Sequence, residues 1–264
     1  MKNKDFIYRN LPLIKKRVHR LGLSFNHGID GKGVETALKL GMNYIFWTRF
    51  GTGEAFDVIK TALKNERQKY VLAAGVTLGF FKGSLRKRVE KLCREFDIDY
   101  VDVFQLYWLG RMSFFTKGIQ KELVRLRDEG LVRALGVSIH DRKRAGRLAV
   151  ESVLDLLMIR YNAAHPGAEV DIFPNYEKRR PITIAYTATS WRKLLKPPKR
   201  WEDKVMTAGD CYRFCLTNRH VDVVLCGPAN ENQLIDNLKA LEKGPLSSAE
   251  DEYIRRFGKA VRGS

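Results

Sequence analysis

Apolar residues along the chain fall into eight short runs, at 20–25, 44–47, 70–76, 100–108, 134–139, 154–161, 182–187 and 221–227. Most are nearly continuous, as in Val71-Leu72-Ala73-Ala74, which is the pattern of strands buried on both faces rather than on one. Between them lie longer segments with apolar residues at helical spacing, at 33–40, 56–64, 84–96, 117–128, 142–152, 207–216 and 232–241. Ser84, just ahead of Leu85, Val89 and Leu92, reads as an N-cap. The stretch 170–178 admits only a short helical piece because Pro174 interrupts it. A segment at 247–261, acidic first and basic last, predicts an added helix whose charges suit its dipole. Strand followed by helix, repeated between residues 21 and 244, predicts an α/β fold: a closed (β/α)8 barrel of the TIM type.

Composition narrows this reading. With 264 residues, 44% hydrophobic and 30% charged, the chain buries a sizeable core, and 1–264 is expected to be a single barrel domain with the helix near 247–261 added. No apolar run approaches the roughly 20 residues of a membrane span, and the start Met1-Lys2-Asn3-Lys4-Asp5 is polar, so an unexported, cytoplasmic protein with no membrane partner is expected. Cys93, Cys211, Cys215 and Cys226 are too scattered for a disulfide framework and complete no zinc motif, which leaves free thiols in the core and no metal site. Forty-eight Lys and Arg against thirty Asp and Glu give +18, a charge that raises nucleic acid or anionic lipid as a partner. The basic runs at 85–88 and 141–144 belong to helical segments, where a solvated outer face explains them. A small-molecule substrate, no nucleic acid, and a monomeric or weakly oligomeric chain are the expectations.

In such a barrel the chemistry sits where the strands end. The ends here carry Trp47, Thr48 and Arg49; Tyr107 and Trp108; Ser138 and His140; Arg160, Tyr161 and Asn162, with His165 and Glu169 close behind; and Tyr186, Thr187 and Trp191. Two histidines, two arginines and several aromatics on one rim predict a pocket lined by Trp47, Trp108, Tyr161, Asn162, His165 and Trp191.

Three segments resemble the aldo-keto reductase superfamily, barrel enzymes that use NADP(H). They are Gly41-Met42-Asn43-Tyr44-Ile45, Asp99-Tyr100-Val101-Asp102, and the run from Glu129 to Ser138. The run from Gly227 to Asn237 is similar to the family's loop and helix that hold the adenosine end of the cofactor. By that resemblance Gly227, Asn230, Gln233, Asp236 and Asn237 bind NADP at its adenosine end and Ser138 contacts the nicotinamide, with Tyr186 a further cofactor-binding candidate. Ala229 departs from the side chains the family uses for the 2′-phosphate, and Arg192, Lys193 and Lys196 are alternative suppliers of that charge.

At the reacting end the resemblance implies an Asp, Tyr, Lys and His, with the Tyr as proton donor. Here the Asp position falls on Ile45 or Phe46, the Tyr on Phe50, the Lys on Gly75 and the His on Tyr107. Ile139 and Met158 stand where the family has the Asn and Gln that contact nicotinamide. Carbonyl reduction still needs a proton donor near the forming alkoxide. Tyr107, with its pKa lowered by Arg49 or Arg160, is the first replacement, and His140 the second. The two arginines favour an anionic substrate, unless Arg160 pairs internally with Glu169. The expected activity is therefore an NADP-dependent oxidoreductase with atypical catalytic residues; the alternative is a catalytically silent barrel that binds a nucleotide or anionic metabolite.

Overall fold

The computed structural model describes residues 3–24, 27–48, 53–77, 84–110 and 115–263. A short helix, α1 (Asn3–Ile7), leads into an antiparallel hairpin of β1 (Tyr8–Leu11) and β2 (Lys16–His19), whose Leu11, Ile14 and Val18 close one end of the barrel interior. The sequence pattern does not predict this hairpin: its strands are four residues long, and Arg9, Asn10, Lys16 and Arg17 break the apolar run.

Eight parallel strands then close into a barrel: β3 (Leu21–Leu23), β4 (Tyr44–Phe46), β5 (Val71–Thr77), β6 (Val101–Leu109), β7 (Val132–Ile139), β8 (Leu156–Arg160), β9 (Ile182–Tyr186) and β10 (Val223–Cys226), which returns to pair with β3. Each predicted apolar run carries one of these strands. Around them lie α2 (Gly31–Lys39), α3 (Glu54–Asn65), α4 (Leu85–Phe96), α5 (Lys117–Asp128), α6 (Arg142–Glu151), α7 (Ala168–Asp171), α8 (Ala208–Thr217), α9 (Glu231–Glu242) and α10 (Ser248–Gly263). As Pro174 requires, α7 stops after four residues and a 3-10 turn, Phe173–Glu177, completes that crossover. Ser84 sits at the start of α4, but its side chain makes no capping bond. Glu122 of α5 caps the helix instead, accepting from Leu85 N at 2.7 Å. Among the described residues no helix is long and apolar enough to cross a membrane. The four cysteines are free thiols, three of them buried.

Side chains alternate along each strand. Tyr44, Phe46, Val71, Ala73, Val103, Tyr107, Leu156, Met158, Ile182, Ile184 and Val223 fill the barrel interior, while their neighbours in sequence pack outward against the helices. Gly75 of β5 and Gly136 of β7 flank Gln105 of β6 in register. A Cβ on Gly75 would lie 2.0 Å from the Gln105 carbonyl oxygen, so only glycine fits there. The Gln105 amide is buried with neither its nitrogen nor its oxygen hydrogen-bonded.

The amino-terminal floor is tied together by a repeated device. Asn43, Asp102, Asp155 and Asp222, at the starts of β4, β6, β8 and β10, each accept a backbone N–H from a neighbouring strand: His19 N at 2.9 Å, Leu72 N at 2.9 Å, Leu135 N at 3.0 Å and Thr183 N at 2.9 Å. Each carboxylate is neutralised by cations. Lys16 and Arg67 both meet Asp102 at 2.7 Å, Arg127 meets Asp155 at 3.0 Å, and Arg180 meets Asp222 at 2.6 Å. The Tyr100 ring lies between the guanidinium groups of Arg67, at 3.9 Å, and Arg133, at 4.3 Å. In this chain the segment Asp99-Tyr100-Val101-Asp102 therefore does structural work at the end of the barrel away from the rim.

Candidate active site

Strand parity decides which of the predicted rim residues face one another. Phe46, Tyr107 and Met158 point into the barrel and form an apolar layer beneath its carboxyl-terminal mouth. Above it, on the β7 to β9 side, stand His140, Arg160 and Tyr186. The Tyr186 hydroxyl lies 2.9 Å from His140 Nε2, and Arg160 and Tyr186 are register partners on adjacent strands. Burial and then the Arg160 charge push the His140 pKa down, which favours the neutral imidazole, whose ring nitrogens both lie within hydrogen-bonding distance of the hydroxyl. Burial raises the Tyr186 pKa to about 12, with Arg160 opposing the shift. Arg160 is half-buried, and among the described residues no carboxylate pairs with it.

Several sequence expectations change at this point. Tyr107 is not a poised acid: its hydroxyl already donates to the Trp47 carbonyl at 3.0 Å, and burial raises its pKa well above the usual value where a lowering was expected. Its ring meets Phe46 edge-on, with centroids 5.6 Å apart. Arg49 and Phe50 lie outside the described residues. Trp47 turns away from the pocket into a cluster with Phe56 and Phe96 between sheet and helices. Tyr161, next to inward-facing Arg160, likewise points outward: it stacks on Phe214 and donates to Glu169 Oε1 at 2.5 Å. Asn162 is fully buried and is a loop tie, accepting from His165 N and donating to Thr187 O. Glu169 pairs with Arg255 of α10 at 2.9 Å rather than with Arg160.

His165 is half-buried near this rim, and burial, then Arg160, lowers its pKa. Trp108 and Trp191 are exposed, each held at positive φ. Ser138 accepts the Trp108 N–H at 2.7 Å, which leaves its own hydroxyl proton to donate.

At the other end of the expected cofactor path, Asn230 caps α9 by accepting from Gln233 N, and Gln233 accepts from Ala229 N. Gln233 and Asp236 are exposed. Asn237, expected at the adenine end, is buried and donates to Cys226 Sγ. Gly227 lies against the ring of His27, which a Cβ there would meet at 2.1 Å. The sequence reading missed His27 because it belongs to a short polar loop after β3.

A sequence model of the Aldo/keto reductase family matches residues 29–196. The chain belongs to the aldo/keto reductase family. Its barrel is similar to that of an aldo-keto reductase from Bacillus halodurans in its holo form, with a TM-score of 0.79, 21% identity and 96% of each chain covered. It is also similar to an aldo/keto reductase from Klebsiella pneumoniae solved with NADP and acetate, at 0.72, 19% identity and 93% of each chain. A glycerol dehydrogenase from Gluconobacter oxydans matches at 0.76 and 18% identity, covering 98% of this chain and 97% of that one. At these identities the likeness concerns the fold. In sequence, 93 residues are 26% identical to an NADH-specific methylglyoxal reductase of Escherichia coli K12, covering 34% of this chain and 28% of that protein.

Of the four tetrad positions that the resemblance implies, three lie among the described residues of this aldo/keto reductase-family barrel. Phe46 is the inward residue at the Asp position, Ile45 being turned outward. Gly75 has no room for a side chain, and the Tyr107 ring stands beside it, 3.0 Å from where a Cβ would be. Among the described residues no group of His, Cys, Asp and Glu is arranged to hold a metal ion.

Proposed function

We propose that this protein is an NADP(H)-dependent oxidoreductase of the aldo/keto reductase type, acting on a small anionic carbonyl compound, in which the Tyr186–His140 pair replaces the family's proton donor. The observation that carries this reading is Arg160: a half-buried guanidinium without a carboxylate partner among the described residues, beside a hydrogen-bonded Tyr and neutral His.

The nicotinamide cofactor, when bound, supplies the hydride. The groups present suit such a dinucleotide in part. Ser138 has a hydroxyl proton to offer a carboxamide oxygen, Tyr186 offers a ring face, and exposed Arg192, Lys193 and Lys196 offer positive charge for phosphate. Gln233 and Asp236 remain available at the adenine end, whereas Ile139 and Met158 leave the carboxamide with fewer partners than the family's usual set.

Arg160 would hold the substrate's carboxylate or phosphate by its planar fork. The Tyr186 hydroxyl would then turn from His140 to the developing alkoxide and give up its proton. Arg160 stabilises the resulting phenolate, and exposed His140 returns a proton from solvent. A positioned general acid contributes about 10²–10⁴-fold, so Tyr186→Phe should lower kcat by that order and Tyr107→Phe should leave it nearly unchanged. Equal losses in the two variants would refute the assignment.

A second reading, a barrel that binds a nucleotide or anionic metabolite without turning it over, is favoured by the Phe46–Tyr107 contact that fills the tetrad space. Fluorescence titration with NADPH and a broad carbonyl panel separate the two: binding without hydride transfer supports the silent barrel, and absence of binding sinks the reductase.

A further inference from the structure

At the opposite end of the barrel from the mouth is a cavity of about 280 Å³, bounded by the hairpin turn Asn10 to Leu13, by Arg179 to Ile182 leading into β9, and by Asp155 and Asp222. Its lining carries two arginines, Arg179 and Arg180, and two carboxylates, with further arginines behind them. Asp155 pairs with Arg127 and Arg179, and Asp222 with Arg180 and Arg9. Arg20, buried behind them, bonds only to backbone carbonyls, that of Asp222 among them. Four guanidinium groups thus pair with the two carboxylates, and those of Arg179 and Arg180 border the cavity.

The carboxylate oxygens are engaged by these cations and by Leu135 N and Thr183 N. The arginines are not used up. Arg179 donates to Ala149 O and Leu154 O, and Arg180 to Arg219 O and Asp222. With five N–H donors per guanidinium, about six of the ten are left over, on side chains 35% and 40% exposed. Beside them Leu11, Pro12, Leu13 and Ile182 make an apolar wall.

We propose that this cavity binds a small phosphate monoester, with the phosphoryl oxygens on Arg179 and Arg180 and a short carbon body against Leu11, Pro12 and Leu13. Adjacent guanidinium forks match a dianion with three acceptor oxygens better than a carboxylate. The volume equals that of about nine waters at about 30 Å³ each, enough for a phosphate with a three- or four-carbon chain. Such a ligand would tie the hairpin to the starts of β8, β9 and β10.

The test is calorimetric titration of the full chain with butyl phosphate, inorganic phosphate and butyrate at fixed ionic strength. Saturable binding of butyl phosphate, at least about tenfold tighter than either of the others, is expected. Arg179→Gln should weaken it by a further tenfold or more. Because Arg179 also holds backbone carbonyls, Leu13→Asp serves as a second variant: Leu13 is 53% exposed, so the fold should tolerate the change while the new charge repels the ligand. Lys121→Ala, on α5, should bind like the parent. No saturable binding up to about 10 mM, or equal binding by Leu13→Asp and the parent, would overturn the site. Equal affinity for inorganic phosphate would overturn the monoester.

Discussion

Asp102 is the residue whose loss should cost the barrel floor most. It is fully buried, its carboxylate meets Lys16 and Arg67 at 2.7 Å each, and it accepts Leu72 N at 2.9 Å. Removing one partner of a buried ion pair costs about 3–5 kcal/mol, because the other charge is left unpaired. Stranding the Leu72 amide adds about 1–3 kcal/mol where no water reaches it. These contributions overlap, so Asp102→Ala should lose about 4–6 kcal/mol. Asp102→Asn, which keeps an acceptor for Leu72 N but turns an amide donor toward two cations, should lose about 3–5 kcal/mol. At about 2–4 °C per kcal/mol for a chain near this size, the alanine variant should melt about 8–24 °C lower. Burial depresses the Lys16 pKa and Asp102 opposes that shift. Without Asp102 the folded-state pKa of Lys16 falls further, so the variant regains stability as pH rises from 7 to about 9 and the amine deprotonates. Urea denaturation across that range measures both effects. A loss under about 1 kcal/mol at pH 7, or one that grows with pH, would refute the buried-cluster argument.

Two further outcomes follow from geometry and burial. Gly75→Ala sets a Cβ 2.0 Å from the Gln105 carbonyl oxygen, and the forced separation of β5 and β6 should cost about 1–3 kcal/mol or more by thermal or urea denaturation; an unchanged melting temperature would show that the strands can part freely. His19 is buried, its Nδ1 accepts from Leu21 N, and burial lowers its pKa to about 4. Its neutral form therefore contributes stability that is complete above about pH 6.5 and is lost as pH falls toward 4, and His19→Gln should flatten that part of the stability profile.

The barrel was legible in the sequence because strands buried on both faces leave continuous apolar runs, such as Val71 to Ala74, that solvent cannot disguise. The hairpin was not, since two four-residue strands with Arg9, Asn10, Lys16 and Arg17 carry too little apolar signal. At the rim, the sequence identified which residues end the strands but not which way they face. Period two supplied that information: with Arg160 inward, Tyr161 must be outward, and with Phe46 inward, Trp47 must be outward. A second available signal was the acid at the start of β6, β8 and β10, Asp102, Asp155 and Asp222, which marks a floor rather than a catalytic site. What no pattern could supply was the partner of Tyr107, because its acceptor is a backbone carbonyl sixty residues away.

Three of the tetrad positions implied by the resemblance, 46, 75 and 107, are coupled to one another in this packing. With Tyr107 hydrogen-bonded to Trp47 O, its ring occupies the space beside Gly75, and the close approach of Gln105 O excludes any side chain there. A lysine at 75 and the present packing of β6 are therefore mutually exclusive. Without that lysine, an aspartate at position 46 would be a buried carboxylate facing the Tyr107 ring, with several kcal/mol of desolvation uncompensated, whereas Phe46 gains an edge-on aromatic contact. Phe46→Asp or Gly75→Lys alone should thus destabilise the barrel. The side of the rim that this packing leaves free is the one where His140, Arg160 and Tyr186 stand together, which is why the proposed proton donor is placed there.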